Sequence, residues 1–298
     1  MTGANGFVGR MIVDRLARNG FDTVAVTRTE GSWHPAVARR RWASLDQIQW
    51  KKEFRGVDVV VHCAARTHVL GREAEAADEP FRQVNVALTL AMARGAAAAG
   101  MRRFIYISSA HVHGGRTGDR PFRADDPPRP ENAYARSKWE AEQGLDAIAR
   151  DTGLEVVVIR PPLVIGPYPK GNLGGLVAAM RRGLPLPLGA VTRNRRDLVS
   201  LDTLADLVSH SIDHPAAPGA PLLVSDGHPS STRDVIERLA ALHGLTPRLL
   251  PVPTALLRAA LTLAGRGRLA SQLLGNLEID IAETCRRLDW RPPQGARS

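Results

Sequence analysis

The sequence predicts an α/β protein, a doubly wound parallel sheet with a smaller lobe C-terminal to it. Three observations predict it. Apolar runs alternate with helical patterns through the first half of the chain. Two of those runs, "VDVVVHCAA" (57–65) and "LEVVVIR" (154–160), are almost continuously apolar, as strands covered on both faces must be. A Gly-x-x-Gly-x-x-Gly spacing, Gly3, Gly6 and Gly9, stands directly before an amphipathic helix. Strands and helices in alternation, with the strands covered on both faces, argue for a parallel sheet between two helix layers.

The elements follow in order. Val8, Met11, Ile12 and Leu16 mark one face of a first helix that ends near Gly20. "TVAV" (23–26) is a strand, then 57–65, then a long helix over about 79–99. "RFIYISS" (103–109) is the next strand, a Pro-rich loop follows, and a helix begins near 134 before the strand at 154–160. Beyond "RPPLVIGP" the pattern loosens into helices near 173–182, 202–213, 231–243 and 254–264, with short apolar runs "RDLVS" and "LLVSDG". The stretch 254–270 is amphipathic and basic, and it reads as a buried helix face in preference to a membrane-surface helix.

Glycines at this spacing let the backbone approach a pyrophosphate, and the helix behind them supplies N–H donors and positive potential. Such a loop normally follows a buried strand, and the sequence before Gly3 is only Met1 and Thr2. The first strand is therefore expected to be missing, leaving unpaired backbone at the sheet centre. At the end of the second strand Thr27 and Arg28 stand where an acidic residue would bind a ribose 2′-hydroxyl. Arg28 suits a 2′-phosphate and leans the cofactor towards NADP over NAD, though it reads equally as a surface arginine.

Composition excludes several classes. The chain has 298 residues and two cysteines, Cys63 and Cys285, so neither a disulfide framework nor a Cys-rich metal site is expected. It has no apolar run long enough to cross a bilayer and no signal peptide at its start, which implies a cytoplasmic protein without membrane insertion. The net charge of +10 comes from 36 arginines against four lysines, scattered and accompanied by much Ala and Pro. That is the signature of a GC-rich genome more than of nucleic-acid binding, and an anionic small substrate would use the same charge.

"TGANGFVG", "HCAA" (62–65), Asn85 in "VNVALTL", "ISSAHVHG" (107–114), "YARSK" (134–138) and "RPPLVIGP" (160–167) occur in a fixed order. "RRDLVSLD" (195–202) and "LDWRPP" (288–293) extend the series through the second lobe. The set resembles the extended short-chain dehydrogenases/reductases, within them the NAD-dependent epimerase/dehydratase family of nucleotide-sugar enzymes. Nearest is the surface-polysaccharide branch that works at C4 of UDP-linked N-acetylhexosamines. The resemblance implies a Rossmann-type domain over 1–165 and a mainly substrate-binding lobe over 166–298, some of whose segments return to the sheet. It also implies a homodimer as one possible assembly. Members lead into the glycine loop with a strand ending "LVTGANG". Met1 stands where that valine would be, which implies an artefact in the assigned start.

The resemblance carries NAD(P) binding to Gly3, Gly6, Phe7, Val8, Gly9, Arg28, Cys63, Ala64, Ala65, Asn85, Ser108, Tyr134, Lys138, Pro161, Leu163 and Val164. It carries the UDP-sugar to Ser109, His111, Asn172 and Arg196. Catalysis falls to Ser109, Tyr134 and Lys138, and residue chemistry agrees. A phenol ionises near pH ~10, too high for a base at neutrality. Lys138 lies one helical turn from Tyr134, and its ammonium together with an oxidised nicotinamide would lower that value. Ser109 would donate to the reacting oxygen. Sugar 4,6-dehydratases of the family carry an Asp-Glu pair just after this serine, whereas here stand Ala110 and His111, with no acid beside them in sequence. His113 replaces the tyrosine of the family's "VYG". Dehydration is thus disfavoured. A reductase acting on a UDP-4-keto-6-deoxy-N-acetylhexosamine leads, a UDP-sugar 4-epimerase is the alternative, and a non-catalytic nucleotide-binding protein is the reading from another class.

Overall fold

The structure, a computed structural model, describes residues 1–31, 33–42, 48–67, 78–169 and 171–293. The order is α1 (Phe7–Arg18), β1 (Val24–Thr27), β2 (Ala38–Arg41), α2 (Trp50–Glu53), β3 (Val59–His62), α3 (Leu88–Ala98), β4 (Arg103–Ile107), α4 (Ala133–Thr152) and β5 (Glu155–Arg160). Then come β6 (Leu163–Ile165), α5 (Gly171–Arg181), β7 (Leu198–Ser200), α6 (Leu201–Ser211), β8 (Leu222–Leu223), α7 (Thr232–Leu242), α8 (Thr254–Leu263), α9 (Gly267–Leu274) and α10 (Ala282–Leu288). A π-helical stretch, Arg82–Ala87, runs straight into α3.

β3, β4, β5 and β8 pair in parallel in that order, and β2 pairs in parallel with β1. Thr2 joins the two groups, because it bridges Val26 on one side and His62 on the other. Its N–H donates to the Val61 carbonyl at 3.0 Å, and Val26 N–H donates to the Met1 carbonyl at 2.8 Å. The central position expected to lack its strand is therefore occupied at its upper end by Met1 and Thr2. The Met1 amine sits in the sheet and donates to Val24 O at 2.7 Å, and burial pulls its pKa down to about 6.

The strands are covered on both faces, as their apolar runs predict. Val61, Ile105, Ile107, Val157 and Ile159 face α1 and α6. Their alternates Val60, Phe104, Tyr106, Val156 and Val158 face α3 and α4, which contribute Met92, Leu145 and Ile148. A third apolar cluster lies in the C-terminal lobe among α5, α7, α8 and α9. β6 and β7 form a separate parallel pair at the base of that lobe.

Two features differ from expectation. β2, "ARRR", escapes a reading by hydrophobicity, because it is an edge strand exposed at three of its four positions and held by backbone pairing to β1. The stretch 254–270 buries a face only in part. In α8 Leu257 is buried, but Leu256 and Leu263 point outward at 63% and 89% exposure.

The glycine loop is set by close approach. Gly3 adopts φ +69°, and a Cβ there would lie 2.6 Å from Ala64 N. A Cβ on Gly9 would lie 2.1 Å from the Gly3 carbonyl oxygen. Gly9→Ala is expected to lower unfolding stability by about 1–3 kcal/mol, the usual cost of forcing a methyl into packed space. Urea denaturation followed by circular dichroism measures this, and an unchanged midpoint would contradict the tight turn.

Candidate active site

The site forms where the parallel strands end, the edge at which open α/β sheets bind ligands. The Gly3–Gly9 turn delivers α1, whose N-cap Gly6 makes no side-chain capping bond. The first-turn N–H groups of Phe7, Val8 and Gly9 lack intrahelical acceptors and point at a ready anion site. Gly3 packs on the backbone of Cys63 and Ala64 at the end of β3, with Ala65 next in the chain. Burial pushes the Cys63 thiol up to about 12, so it is a packing group and not a nucleophile. Asn85 clamps this loop: its amide accepts from Arg66 N at 2.8 Å and donates to Arg66 O at 3.0 Å and to Ser137 Oγ at 2.9 Å. The bonds Asn85 makes thus bind the cofactor loop to α4.

Below the loop runs a buried chain that the sequence reading missed. His62 Nδ1 meets Thr2 Oγ1 at 2.6 Å, His62 Nε2 meets Thr89 Oγ1 at 2.9 Å, and Thr89 donates to Asn85 O at 2.8 Å. Burial holds His62 down to about 3, so it is neutral and serves as a two-ended linker.

α4 carries two of the candidate catalytic residues, Tyr134 and Lys138. Asn132 caps it by accepting from Ala135 N at 2.8 Å. One turn in, Lys138 is 2% exposed, and its ammonium donates to Ile107 O at 2.8 Å and lies 4.5 Å from the centre of the Tyr106 ring. Burial lowers Lys138 to about 8, while Cys63 and Glu142 act to raise it. Tyr134 is half-buried, with its ring centre 5.9 Å from the same ammonium. Burial pushes the phenol up to about 12, and a hydrogen bond with Ser109 acts in the opposite direction. The lowering expected from Lys138 acting together with an oxidised nicotinamide is a separate effect, and the Lys138 ammonium itself is hydrogen-bonded to the Ile107 carbonyl. Ser109 Oγ accepts from His111 N at 3.2 Å, and its hydroxyl hydrogen-bonds with the Tyr134 phenol.

Behind this row lies a buried charged cluster, also missed. Ser108 donates to Glu142, so its hydroxyl points into the protein. Arg160 pairs with Glu142 (Nε–Oε1 3.1 Å) and reaches His113 Nε2 at 2.9 Å. Arg160 and Glu142 are both buried, and Phe122 stacks on His113 at 5.5 Å. The signal was present: Glu142 follows Lys138 by four residues on one helix face, and Arg160 ends a buried strand.

On the lobe side, Arg196 is 8% exposed and donates to Gly275 O at 3.0 Å, and burial disfavours its charge. His111 lies within the field of Arg196, which, after burial, is what keeps its pKa low. Its Nδ1 is buried with no hydrogen-bond partner among the described residues. Glu131, on the loop before α4, acts weakly in the opposite direction on His111. Pro161 accepts from Ala110 N at 2.8 Å, and Leu163 and Val164 lie in β6 beside it. Asn172 is exposed in the first turn of α5, and Arg28 is exposed beyond β1.

The buried histidines set an acid limit. The folded values of His62 (about 3) and His113 (about 4) lie below the ordinary 6.5. The unfolded chain therefore binds the extra protons, and the stability these groups contribute is complete above pH 6.5 and lost as pH falls towards 4. Asp197, raised to about 6 by burial, takes up a proton in the folded state and offsets part of this loss. Urea midpoints measured between pH 7 and pH 4.5 are expected to fall, by several kcal/mol of stability in all. His113→Phe should flatten that fall.

Comparison with known proteins agrees with this geometry. The model of the NAD dependent epimerase/dehydratase family matches residues 1–224. A UDP-glucose 4-epimerase of Vibrio cholerae is 38% identical over 301 residues, covering 99% of this chain and 90% of that protein. A dTDP-4-dehydrorhamnose reductase of Mycolicibacterium smegmatis is 34% identical, over 61% of this chain and 49% of its own. Among solved structures, MoeE5 in complex with UDP-glucose and NAD superposes with a TM-score of 0.78 at 25% identity, covering 99% of this chain and 93% of that one. The chain belongs to the NAD dependent epimerase/dehydratase family and is an enzyme of the nucleotide-sugar epimerases, reductases and dehydratases.

Proposed function

We propose that this enzyme transfers hydride at C4 of a UDP-linked hexose, and that its reaction is reduction of a UDP-4-keto-6-deoxy-N-acetylhexosamine with NADPH. The carrying observation is the row Ser109, Tyr134, Lys138 at the strand ends, with the phenol held protonated by burial. A protonated Tyr134 is an acid ready to deliver its proton to a carbonyl oxygen. Ser109, whose lone pair is taken by His111 N, donates to the same oxygen and polarises it. Lys138 supplies positive charge beneath the phenol and stabilises the phenolate left behind.

The nicotinamide dinucleotide fits what is built here. Gly3 and Gly9 are packed too closely on backbone for any Cβ, which holds the turn tight before the uncapped start of α1 and leaves that helix's first N–H groups facing outward for a pyrophosphate. When bound, the nicotinamide supplies or accepts the hydride. Arg196, buried with a carbonyl as partner, suits the substrate diphosphate, which would return the counter-charge that burial denies it. The lean towards NADPH rests on exposed Arg28 in the place of an acidic ribose ligand. The second reading, a UDP-glucose 4-epimerase, is favoured by the end-to-end similarity to the Vibrio cholerae protein.

Turnover with NADPH and the 4-keto sugar, followed by loss of reduced-nicotinamide absorbance, is expected to be stoichiometric. Tyr134→Phe should lower it about 10²–10⁴-fold, the range of one general acid, with nucleotide-sugar binding little changed. Interconversion of UDP-glucose and UDP-galactose without net cofactor use would instead establish the epimerase. Arg28→Asp should weaken NADPH far more than NADH, and an equal loss for both would remove the cofactor preference.

A further inference from the structure

We infer that the outer corner of the C-terminal lobe is a docking surface for an anionic membrane, on which the enzyme rests without spanning the bilayer. The apolar half of the argument is α8. Leu256, Ala259, Ala260 and Leu263 stand at i, i+3, i+4 and i+7, which is one face of a helix, and all four are exposed. The opposite face, through Leu257 and Leu261, packs into the lobe core. α8 is thus apolar on both sides, and only one side has a partner. The neighbouring ribbon adds to the patch: Leu186 exchanges backbone bonds with Arg248 and Leu250, leaving Leu184 and Leu250 about half exposed at 49% and 47%. Of the five large hydrophobic residues exposed among the described residues, four lie in this corner.

The charge half selects the occupant. Residues 161–196 and 243–277, which carry α5, the ribbon, α8 and α9, contain no Asp or Glu, and the lobe's acids Asp234 and Glu237 stand on α7. Arg266 follows α8 just beyond Leu263, and Arg181 and Arg182 precede Leu184, all exposed. A second copy of the chain would bring the same arginines against one another on a protein already carrying +10, which disfavours self-association through this face. An anionic lipid surface satisfies both halves, since leucines enter the acyl boundary while arginines meet headgroup phosphates. Among the described residues no helix is long and apolar enough to cross a membrane, so the association is peripheral and salt-sensitive.

The test is sedimentation of the full chain with vesicles. Binding is expected to equimolar phosphatidylcholine–phosphatidylglycerol vesicles, to be absent with phosphatidylcholine alone, and to reverse in high salt. The double variant Leu256→Glu and Leu263→Glu should weaken binding at least roughly tenfold, since it removes two inserting side chains and adds two repelling charges. Arg182→Gln with Arg266→Gln should weaken it by a similar factor while leaving the apolar face intact. Both pairs are at the surface, so unchanged thermal melts serve as the folding control. No binding to the mixed vesicles, or binding indifferent to both double variants, overturns the inference. A dimer that the leucine variant splits, in a protein that ignores vesicles, would assign the face to a second copy instead.

Discussion

The candidate active site depends on a buried ammonium. Lys138 is almost wholly enclosed, and an unpaired charge there would cost several kcal/mol. The fold meets that cost with the last carbonyl of β4, the face of Tyr106, and the field of Glu142. These contacts tie α4 to the end of β4. Tyr134 then falls one turn from the anchor, and Ser109 two residues beyond the carbonyl. The spacing of three reactive groups from two distant parts of the chain follows from one hydrogen bond.

Tight backbone contact holds the other side. Gly3 abuts Ala64, Asn85 staples Arg66 to Ser137, and His62 links Thr2 to Thr89. The result is a polar network under the cofactor loop in which each member has its partners, the condition under which buried polarity rigidifies a site. Neutral His62 is essential to it, because a proton there would put a second cation near Lys138.

What was legible in the sequence had a local or periodic cause. β3, β4 and β5 announce themselves because both faces are apolar, and the Tyr134–Lys138 pair because four residues make one helical turn. What was not legible acts across distance or against type. β2 is polar because an edge strand needs only backbone partners. Glu131 adds to the field at His111 from a loop whose course no periodicity records. Glu142 and Arg160 are charged residues in the interior, where composition would place neither, and only their pairing makes that placement affordable. In α8 a hydrophobic period located a helix correctly. It could not say which of two apolar faces the protein would use.

The proposed chemistry rests on the acids and bases that stand near Ser109 among the described residues. Elimination of water from a sugar needs a base at one carbon and an acid at its neighbour, beyond the group that handles the C4 oxygen. Here the two positions after Ser109 are an alanine and a histidine. His111 sits beside buried Arg196, which discourages protonation, and its Nδ1 is without a partner. A neutral imidazole in that place can accept a hydrogen bond from a sugar hydroxyl or amide, but without a proton to give it is a poor acid. Among the described residues, the candidate row consists of a phenol, a hydroxyl and an ammonium, together sufficient to move one proton on and off one oxygen. That set matches hydride transfer at a single carbinol carbon, which is the step reductases and epimerases of the family share. The two then differ only in whether the ketone leaves or turns within the cleft.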